Sequence, residues 1–407
     1  MNDTFPAQGR NPGVRWCSMP SMPAPATTSP RRAAAIGLAL GAIAGAGALA
    51  APAPASAALE LNGRGFGHGV GMSQYGAYGF AVRENRSYDS ILRHYYTGTE
   101  LTAVDARRID VLLKRSRSHK LCKATGASAR GGEKRVTLNP GRCYRFHPAG
   151  QVSVGVVDLS TDRRVATLRA PVRASGGSRT QLRGAAENGL SNGEYRGVME
   201  LHRGQGGLHA INDVHSRHYL YGVVPAEVPT SWPIEAVKAQ AVAARSYAFT
   251  SLRPGQPFDV FADTRSQVYR GFTGEDARGR QAVQETRDEV VTHQGTIAQT
   301  FFFSTSGGRT SANENGFGGG TPLPYLRPVD DPHDDLSPVH TWTVRFSDAQ
   351  AGQRLGVGTL QSLRVTQRDS DDRARRVEVR GSGGSKTLSG AQVRAKLGLR
   401  SAWFSVG

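Results

Sequence analysis

The stretch IEAVKAQAVAARSYAFTSL, residues 234–252, decides the fold of this chain. Pro233 stands at the start of this stretch, where proline is pre-set for helical φ. Ser231 is the predicted N-cap, and Arg253-Pro254-Gly255 stops the helix. The many small side chains predict close contact with neighbouring elements on more than one face. We therefore expect one long, buried, Ala-rich helix over residues 233–252.

Short apolar runs alternate with turn clusters on both sides of this helix. RIDVLLK and VSVGVVDL lie between residues 108 and 207, and FFFSTSGG and HTWTVRF follow residue 300. This pattern is typical of strands and turns. The expected fold class is α+β: a β-rich main domain with one long buried Ala-rich helix, plus an inserted small β domain.

The main domain is predicted to be split along the sequence. We assign residues 58–107 and 191–407 to it, and residues 108–190 to the inserted β domain. Further short helices are expected over residues 88–96 and 390–397.

A second informative stretch, GRGFGHGVGMSQYGAYGFA, spans residues 63–81. Glycine is placed where the backbone needs positive φ or must approach another group closely. With His68, Ser73, Gln74 and Tyr75 among the glycines, the stretch predicts a loop pressed against a ligand. A flexible linker is the alternative, but linkers of that kind are rich in Ser and Thr.

The N-terminus has the pattern of an export signal. Arg31 and Arg32 precede an apolar, alanine-rich run, and Ala55-Ser56-Ala57 closes it. A positive segment, a short apolar core and an A-x-A site describe a secretory signal peptide. We assign residues 1–57 to it and expect a secreted or wall-bound protein.

The 407 residues carry 51 Lys and Arg against 33 Asp and Glu, a formal charge of +18. A solvated basic surface is one interpretation, and attraction to a polyanion is the other. Because the leader exports the chain, an anionic wall polymer is the expected partner and nucleic acid is not.

Cys122 and Cys143 form an even pair in an oxidising compartment, which predicts a disulfide. Zinc binding is the alternative, although no CxxC spacing supports it.

Glu227 is the candidate catalytic residue. It lies in GVVPAEVPTSWP, between two apolar stretches, where loss of hydration would raise its pKa and let it donate a proton near neutral pH. A turn glutamate with a local hydrogen bond is the alternative.

Lys238 and Arg245 share one stripe of the long helix. They could line a groove beside Glu227 or be two solvated charges.

Two further segments are weaker candidates. In FADTRSQVYRGF, residues 261–272, Gln267 and Tyr269 share one face of an expected strand. In FFFSTSGGRT, residues 301–310, an apolar strand runs into Ser304 and Ser306. Both are expected to deliver hydroxyls and amides to a site. The acidic run VDDPHDD, residues 329–335, fits no calcium loop and is interpreted as a solvated turn. We expect no metal and no cofactor.

Five motifs together resemble the stage II sporulation protein D family, which also includes amidase-enhancer proteins. They are GRGFGHGVGMSQYGA, YLYGVVPAEVPTSWPIEAVKAQAVAARSYAF, DTRSQVYRG, STSGGRT and LGLRSAWF. The resemblance covers most of residues 60–100 and 195–407. In the family the GHGxGMSQ motif follows LGLRSxxF, whereas here the two stand at opposite ends. We therefore expect a circular permutation, with Leu61 and Phe404 close in space.

The resemblance implies a peptidoglycan lytic transglycosylase that cleaves MurNAc–GlcNAc bonds to 1,6-anhydro ends. It places the acid/base role on Glu227 and the family's cations on Lys238 and Arg245. It also implies that the glycine-rich motif borders the same groove. A two-carboxylate hydrolase would need Asp259 or Asp263 to face Glu227. The alternative function is a non-catalytic wall-binding enhancer of an N-acetylmuramoyl-L-alanine amidase.

Overall fold

The computed structural model describes residues 58–122, 127–175 and 178–407. The predicted signal peptide, residues 1–57, lies outside them. The helices in the described residues are α1 (Gln74–Arg83), α2 (Tyr88–Tyr95), α3 (Ser216–Glu227), α4 (Ile234–Thr250), α5 (Ala277–Glu285), α6 (Asn313–Gly316), α7 (Asp348–Leu355) and α8 (Gly390–Leu397).

Strands outnumber helices. They are β1 (Ala58–Arg64), β2 (Met72–Ser73), β3 (Glu100–Ala103), β4 (Arg108–Ser116), β5 (His119–Cys122), β6 (Ala127–Gly131), β7 (Lys134–Leu138), β8 (Tyr144–Ala149), β9 (Ser153–Asp158), β10 (Arg163–Arg169), β11 (Val172–Ser175), β12 (Thr180–Leu182), β13 (Glu194–Tyr195), β14 (Val198–Gly204), β15 (Gly207–His215), β16 (Val260–Phe261), β17 (Glu289–His293), β18 (Thr296–Ile297), β19 (Phe302–Phe303), β20 (Thr341–Ser347), β21 (Leu360–Arg368), β22 (Ala374–Gly381), β23 (Gly384–Ser389) and β24 (Phe404–Val406). The β-rich α+β class expected from the sequence is confirmed.

Two large sheets dominate the first half of the described chain. One has the strand order β16-β4-β15-β14-β11-β6-β7, and the other has the order β10-β9-β8-β5-β12-β13. Buried side chains such as Phe146 and Leu201 belong to one shared hydrophobic core. Because β14, β15 and β16 lie in the same sheet as β4, this β-rich segment is hydrogen-bonded directly to the strands that lead into α3. Cys122 and Cys143 are bonded, which confirms the predicted disulfide.

The helix α4 lies between two hydrophobic cores. Its Ala241 and Ala244 belong to the core of the large sheets, whereas Ala239 and Ala243 belong to a second core with α1 and α2. The small side chains let α4 pack against α1, α2, α3, α5 and β17. This arrangement explains the alanine-rich sequence. The predicted start was wrong in one detail, since Pro233 rather than Ser231 is the N-cap.

The two ends of the described chain meet in one small sheet. Strand β1 pairs with β20 along its length and with β24 near residue 404. Gly63 and Phe404 are register partners, and the Arg64 N–H donates to the Trp403 carbonyl at 2.9 Å. The closeness that a circular permutation requires is therefore present. The permutation itself remains a prediction.

Candidate active site

Glu227 is the last residue of α3, with Pro225 one half-turn before it. Val228 is extended, so the chain leaves the helix there and turns towards α4. The residue keeps partial contact with solvent, but protein atoms crowd its carboxyl. This position removes most of the hydration of the carboxyl while part of the residue stays in contact with solvent.

The surroundings of Glu227 favour the protonated form of its carboxyl near neutral pH. Burial raises the pKa of its carboxyl to about 7. The Val268 N–H donates to Oε1 at 3.0 Å and lowers the pKa, as does the more distant charge of Arg270. Loss of hydration outweighs both, so protonated and ionised forms are both available near neutral pH.

One buried tyrosine and one buried glutamine support the segment that contacts Glu227. The Tyr219 hydroxyl donates to Gln267 Oε1 at 3.1 Å, and Gln267 Nε2 donates to the Ala244 carbonyl at 3.3 Å. These bonds fix the residue before Val268, whose N–H reaches Glu227. The negative charge of Glu227 contributes to the raised pKa of Tyr219 and of Tyr247, so both rings lie in its field.

The expected strand around Gln267 is absent, because residues 267–270 belong to no helix or strand. Gln267 lies beside the site but is buried, and its amide is committed to the protein. Tyr269 is fully buried, and its hydroxyl donates to Asn212 Oδ1 at 2.8 Å. Tyr269 is therefore a core residue, and its expected contact with substrate was wrong.

Lys238 and Arg245 do not form the expected paired cations beside Glu227. Lys238 Nζ lies 2.9 Å from Glu235 and 2.8 Å from Glu285. Arg245 is buried and donates to the carbonyl of Glu289 at 2.7 Å. Neither charge contributes to the pKa of Glu227. The stripe faces α5 and β17 instead, so these cations stabilise the packing of α4.

His68 is held as a neutral ring. Its Nδ1 accepts the Val70 N–H at 3.0 Å, and its Nε2 contacts the Phe302 carbonyl at 3.2 Å as a donor. Burial lowers its pKa to about 3. A cavity of about 570 Å³ borders His68 and Phe317, and Glu227 is absent from the described residues that line it. His68 therefore faces this cavity, and its expected place beside Glu227 stays a prediction.

The glycines near His68 fit against the protein itself. Gly65, Gly67, Gly69 and Gly71 all have positive φ. A Cβ on Gly71 would overlap the Phe301 carbonyl oxygen, because the chain passes too close for any side chain. The expected close approach of the glycine-rich backbone is thus present. The backbone approaches β19 and the residues next to it, not a ligand.

Ser73 and Gln74 serve the start of α1. The Ser73 hydroxyl accepts the Gly76 N–H at 3.1 Å and donates to Asp334 at 2.9 Å. Gln74 Nε2 donates to Gln240 Oε1 at 3.3 Å. These side chains are buried, so they position the segment and do not line an open groove.

Tyr75 belongs to a cluster of partly exposed rings. Its ring centroid lies 5.1 Å from Trp232, and Tyr78 stacks on Trp232 at 4.8 Å. Trp232 follows Glu227 by five residues in the turn before α4. These rings present apolar faces with polar edges, the surface that Tyr and Trp supply at binding sites. Trp232 and Tyr78 were missed in the sequence, although TSWP in the same motif contained the signal.

Ser304 and Ser306 are buried and committed to internal bonds. The Ser304 carbonyl accepts the Tyr75 N–H at 3.0 Å, and the Ser306 N–H donates to Asp334 at 2.9 Å. Their hydroxyls do not reach an open site, so the expectation that they contact substrate was wrong. The chain turns at Gly307, and the backbone N–H groups of Ser306 and Gly307 both donate to the Asp334 carboxylate.

That carboxylate belongs to the acidic run expected to be solvated. Asp331 and Asp334 are both fully buried. Asp334 also accepts the Gly307 N–H at 2.8 Å, and Asp331 accepts the Tyr95 hydroxyl at 2.7 Å. Burial and the nearby charge of Asp334 raise the pKa of Asp331. The solvated-turn interpretation was wrong for these two carboxylates, which organise the loops around α1, whereas Asp330 and Asp335 of the same run are exposed.

Residues 204–293, which contain Glu227, α4 and Val268, match the family model described as Stage II sporulation protein. Curated relatives carry the names Stage II sporulation protein D and Amidase enhancer. Over these residues the chain is similar to this family.

The similarity to individual family members is partial. The Stage II sporulation protein D of Bacillus amyloliquefaciens is 32% identical over 217 residues, which are 48% of this chain and 61% of the relative. That of Bacillus subtilis is 30% identical over 212 residues, with the same coverage. The Amidase enhancer of Bacillus subtilis is 35% identical over 131 residues, 32% of this chain and 17% of the relative.

An uncharacterized protein of Brachyspira hyodysenteriae is 38% identical over 136 residues, which are 36% of its length. The chain thus spans between about a sixth and three fifths of the relatives named here. No solved structure matches it. Among the described residues, no helix is long and apolar enough to cross a membrane.

Proposed function

We propose that the protein is a peptidoglycan lytic transglycosylase with Glu227 as its acid and base. The observation that carries this proposal is a half-buried glutamate whose carboxyl has its pKa raised to about 7 by burial. A group that donates a proton and then accepts one works best with a pKa near the working pH. Similarity to Stage II sporulation protein D and to the Amidase enhancer supports a role at the cell wall, which is where such a substrate is found.

The reaction needs one protein group and no water. Protonated Glu227 donates its proton to the glycosidic oxygen as the bond from that oxygen to C1 of the muramoyl residue breaks. The resulting carboxylate then takes the proton of the C6 hydroxyl while O6 attacks C1. The products are a free hydroxyl on the leaving sugar and a 1,6-anhydro ring, and Glu227 is protonated again.

The surroundings of Glu227 favour this route over two-carboxylate hydrolysis. Asp259 accepts the N–H groups of Arg253 at 2.7 Å and of Asp110 at 2.9 Å. Asp263 is bonded to Arg265, which lowers its pKa. In the described part of the chain, no carboxylate contributes to the pKa of Glu227. A second acidic group of the kind that activates water is therefore not supported.

The ring cluster of Tyr75, Tyr78 and Trp232 is the proposed wall for the glycan. Its rings are half-buried, so each offers part of a flat apolar face on which a sugar ring can pack. Substrate binding is thereby assigned to these rings rather than to Lys238 and Arg245.

Digestion of purified glycan tests the proposal. The protein is incubated with intact and with peptide-stripped peptidoglycan, and the fragments are weighed by mass spectrometry. We expect 1,6-anhydro ends, whereas a hydrolase would give ends heavier by one water. Glu227→Gln should abolish turnover and keep glycan binding, and Asp263→Asn should keep both. Reducing ends that disappear in Asp263→Asn would overturn the one-carboxylate mechanism.

A second candidate function is enhancement of a separate cell-wall amidase. It is favoured by the similarity to the Amidase enhancer of Bacillus subtilis and by the charge of +18, which suits an anionic wall. If the protein is an enhancer that catalyses no reaction itself, the Glu227→Gln variant should stimulate the amidase as well as the unmodified protein does. In both cases we propose export by the predicted signal peptide and residence at the wall.

A further inference from the structure

A small cavity on the β-rich segment collects positive charge. Its volume is about 460 Å³, and it lies beside the Cys122–Cys143 disulfide. Lys114 from β4, Lys120 from β5 and Arg183 just after β12 line it. The remaining described lining residues are Cys122, Cys143, Leu159, Gly184, Ser118 and Asn192. The cavity therefore has three cations and no carboxylate in its described walls.

Several cations elsewhere in the same segment have a carboxylate partner. Arg115 binds Glu187 at 3.0 Å, and Arg142 is bonded to Asp158 at 2.6 Å. Within the described residues, Lys114, Lys120 and Arg183 have no carboxylate within ion-pair distance. Lys114 Nζ contacts only the Arg183 carbonyl at 3.4 Å, and Arg183 Nη1 reaches Gln181 Oε1 at 3.4 Å.

The fold holds these cations near one another. The Arg183 N–H donates to the Lys120 carbonyl at 2.9 Å, and the Gly184 N–H donates to Asn192 Oδ1 at 2.9 Å. Gly184 has a φ of +78°, and a Cβ there would lie 3.0 Å from Lys114 Nζ. The backbone thus leaves room for the lysine to enter the cavity. Like charges brought together repel, and a bound anion would relieve that repulsion.

We propose that this cavity binds the phosphodiester groups of an anionic sugar- or polyol-phosphate polymer. An Arg fork and two Lys ammonium groups suit phosphate oxygens. Single-stranded nucleic acid is less favoured, because such sites stack bases on aromatic rings and no described lining residue is aromatic. The disulfide beside the cavity also belongs to an oxidising compartment. The site goes beyond the proposed reaction and does not depend on Glu227.

Binding of poly(glycerol phosphate) to the purified protein tests this proposal. The site variant is Lys114→Gln, Lys120→Gln and Arg183→Gln together. The matched control is Lys134→Gln, Arg135→Gln and Arg164→Gln, which removes three exposed charges from the same β-rich segment. We expect the site variant to bind about tenfold more weakly or worse, with a reduced dependence of affinity on salt. The control should change affinity by no more than about twofold.

Several outcomes would overturn the proposal. Equal losses in the site and control variants would mean that net charge alone attracts the polymer. Equal affinity for poly-γ-glutamate, lost in the same variant, would exclude a preference for phosphate. Tighter binding of oligo-dT that depends on the same three residues would point to nucleic acid instead.

Two further measurements keep the result interpretable. Circular dichroism and the thermal midpoint should match the unmodified protein. If the triple variant does not fold, the single variant of exposed Lys120→Gln should weaken binding by about two- to threefold, and no change would count against the site. Glu227→Gln should bind the polymer normally, so failure of the reaction and failure of this site are separate results.

Discussion

Replacing Glu227 with Gln tests the raised pKa without any substrate. Between pH 4.5 and 7 the folded protein keeps a proton on this carboxyl, whereas the unfolded chain has released it. Raising the pH through this window therefore destabilises the folded state. A pKa that moves from 4.5 to about 7 corresponds to at most about 3 kcal/mol of lost stability.

Glutamine removes this dependence because it cannot ionise, and its oxygen can still accept the Val268 N–H. We expect the stability of Glu227→Gln, relative to the unmodified protein, to increase by about 2–3 kcal/mol between pH 5 and pH 8. Urea unfolding followed by tryptophan fluorescence at both pH values measures the change. An identical difference at the two pH values would refute the burial argument.

Glu285→Gln is the matched control. Its hydrogen bond to Lys238 lowers the pKa of the Glu285 carboxyl. A lowered pKa contributes stability that is present above the unfolded value and is lost only at more acidic pH. The stability difference caused by Glu285→Gln should therefore stay flat from pH 5 to pH 8. A slope there like that of Glu227→Gln would show that the pH effect is not specific to Glu227.

Three other predictions follow from named contacts. Glycan cleavage should fall about tenfold per pH unit above pH 7, because the protonated form of Glu227 is lost; a rate that is constant to pH 9 would contradict its role as the acid. Gln267→Ala should cost about 2 kcal/mol in urea unfolding, since it leaves the buried Tyr219 hydroxyl without its acceptor; an unchanged midpoint would contradict this. Gly76→Ala should cost about 3 kcal/mol by the same assay, because its Cβ would overlap Tyr95 and Asp331. Gly98→Ala, in open space at a φ of +68°, should cost only about 1 kcal/mol.

Local sequence signals predicted the elements of this fold well. Alanine spacing located α4 to within a few residues, and Gly390–Leu397 is the helix expected there. The predicted pairing of Cys122 with Cys143 is confirmed. The helix preference of a segment is set largely by residues within a few positions of one another, so one sequence is enough to recognise such a helix.

Predictions about side-chain partners were less successful. The stripe on α4 correctly put Lys238 and Arg245 on one helix face, but the sequence did not show what that face would meet. The structure places α5 and β17 against α4. The Glu285 carboxylate of α5 binds Lys238, and the Glu289 carbonyl of β17 accepts a hydrogen bond from Arg245. Ser73 and Ser306 likewise meet Asp334, which is more than 25 residues away from either in the chain.

The sequence by itself determined a β-rich chain with one buried alanine helix, a disulfide, a glycine-dense segment and a carboxyl in an apolar motif. These follow from composition and from spacing within short windows. Only the tertiary structure decided what each side chain faces. Glu227 shows why: its pKa depends on the protein atoms that fold around its carboxyl, including the backbone of Val268, 41 residues further along the chain. A side chain becomes buried when segments distant in the sequence pack around it. The spacing of residues within a short window therefore does not predict that contact.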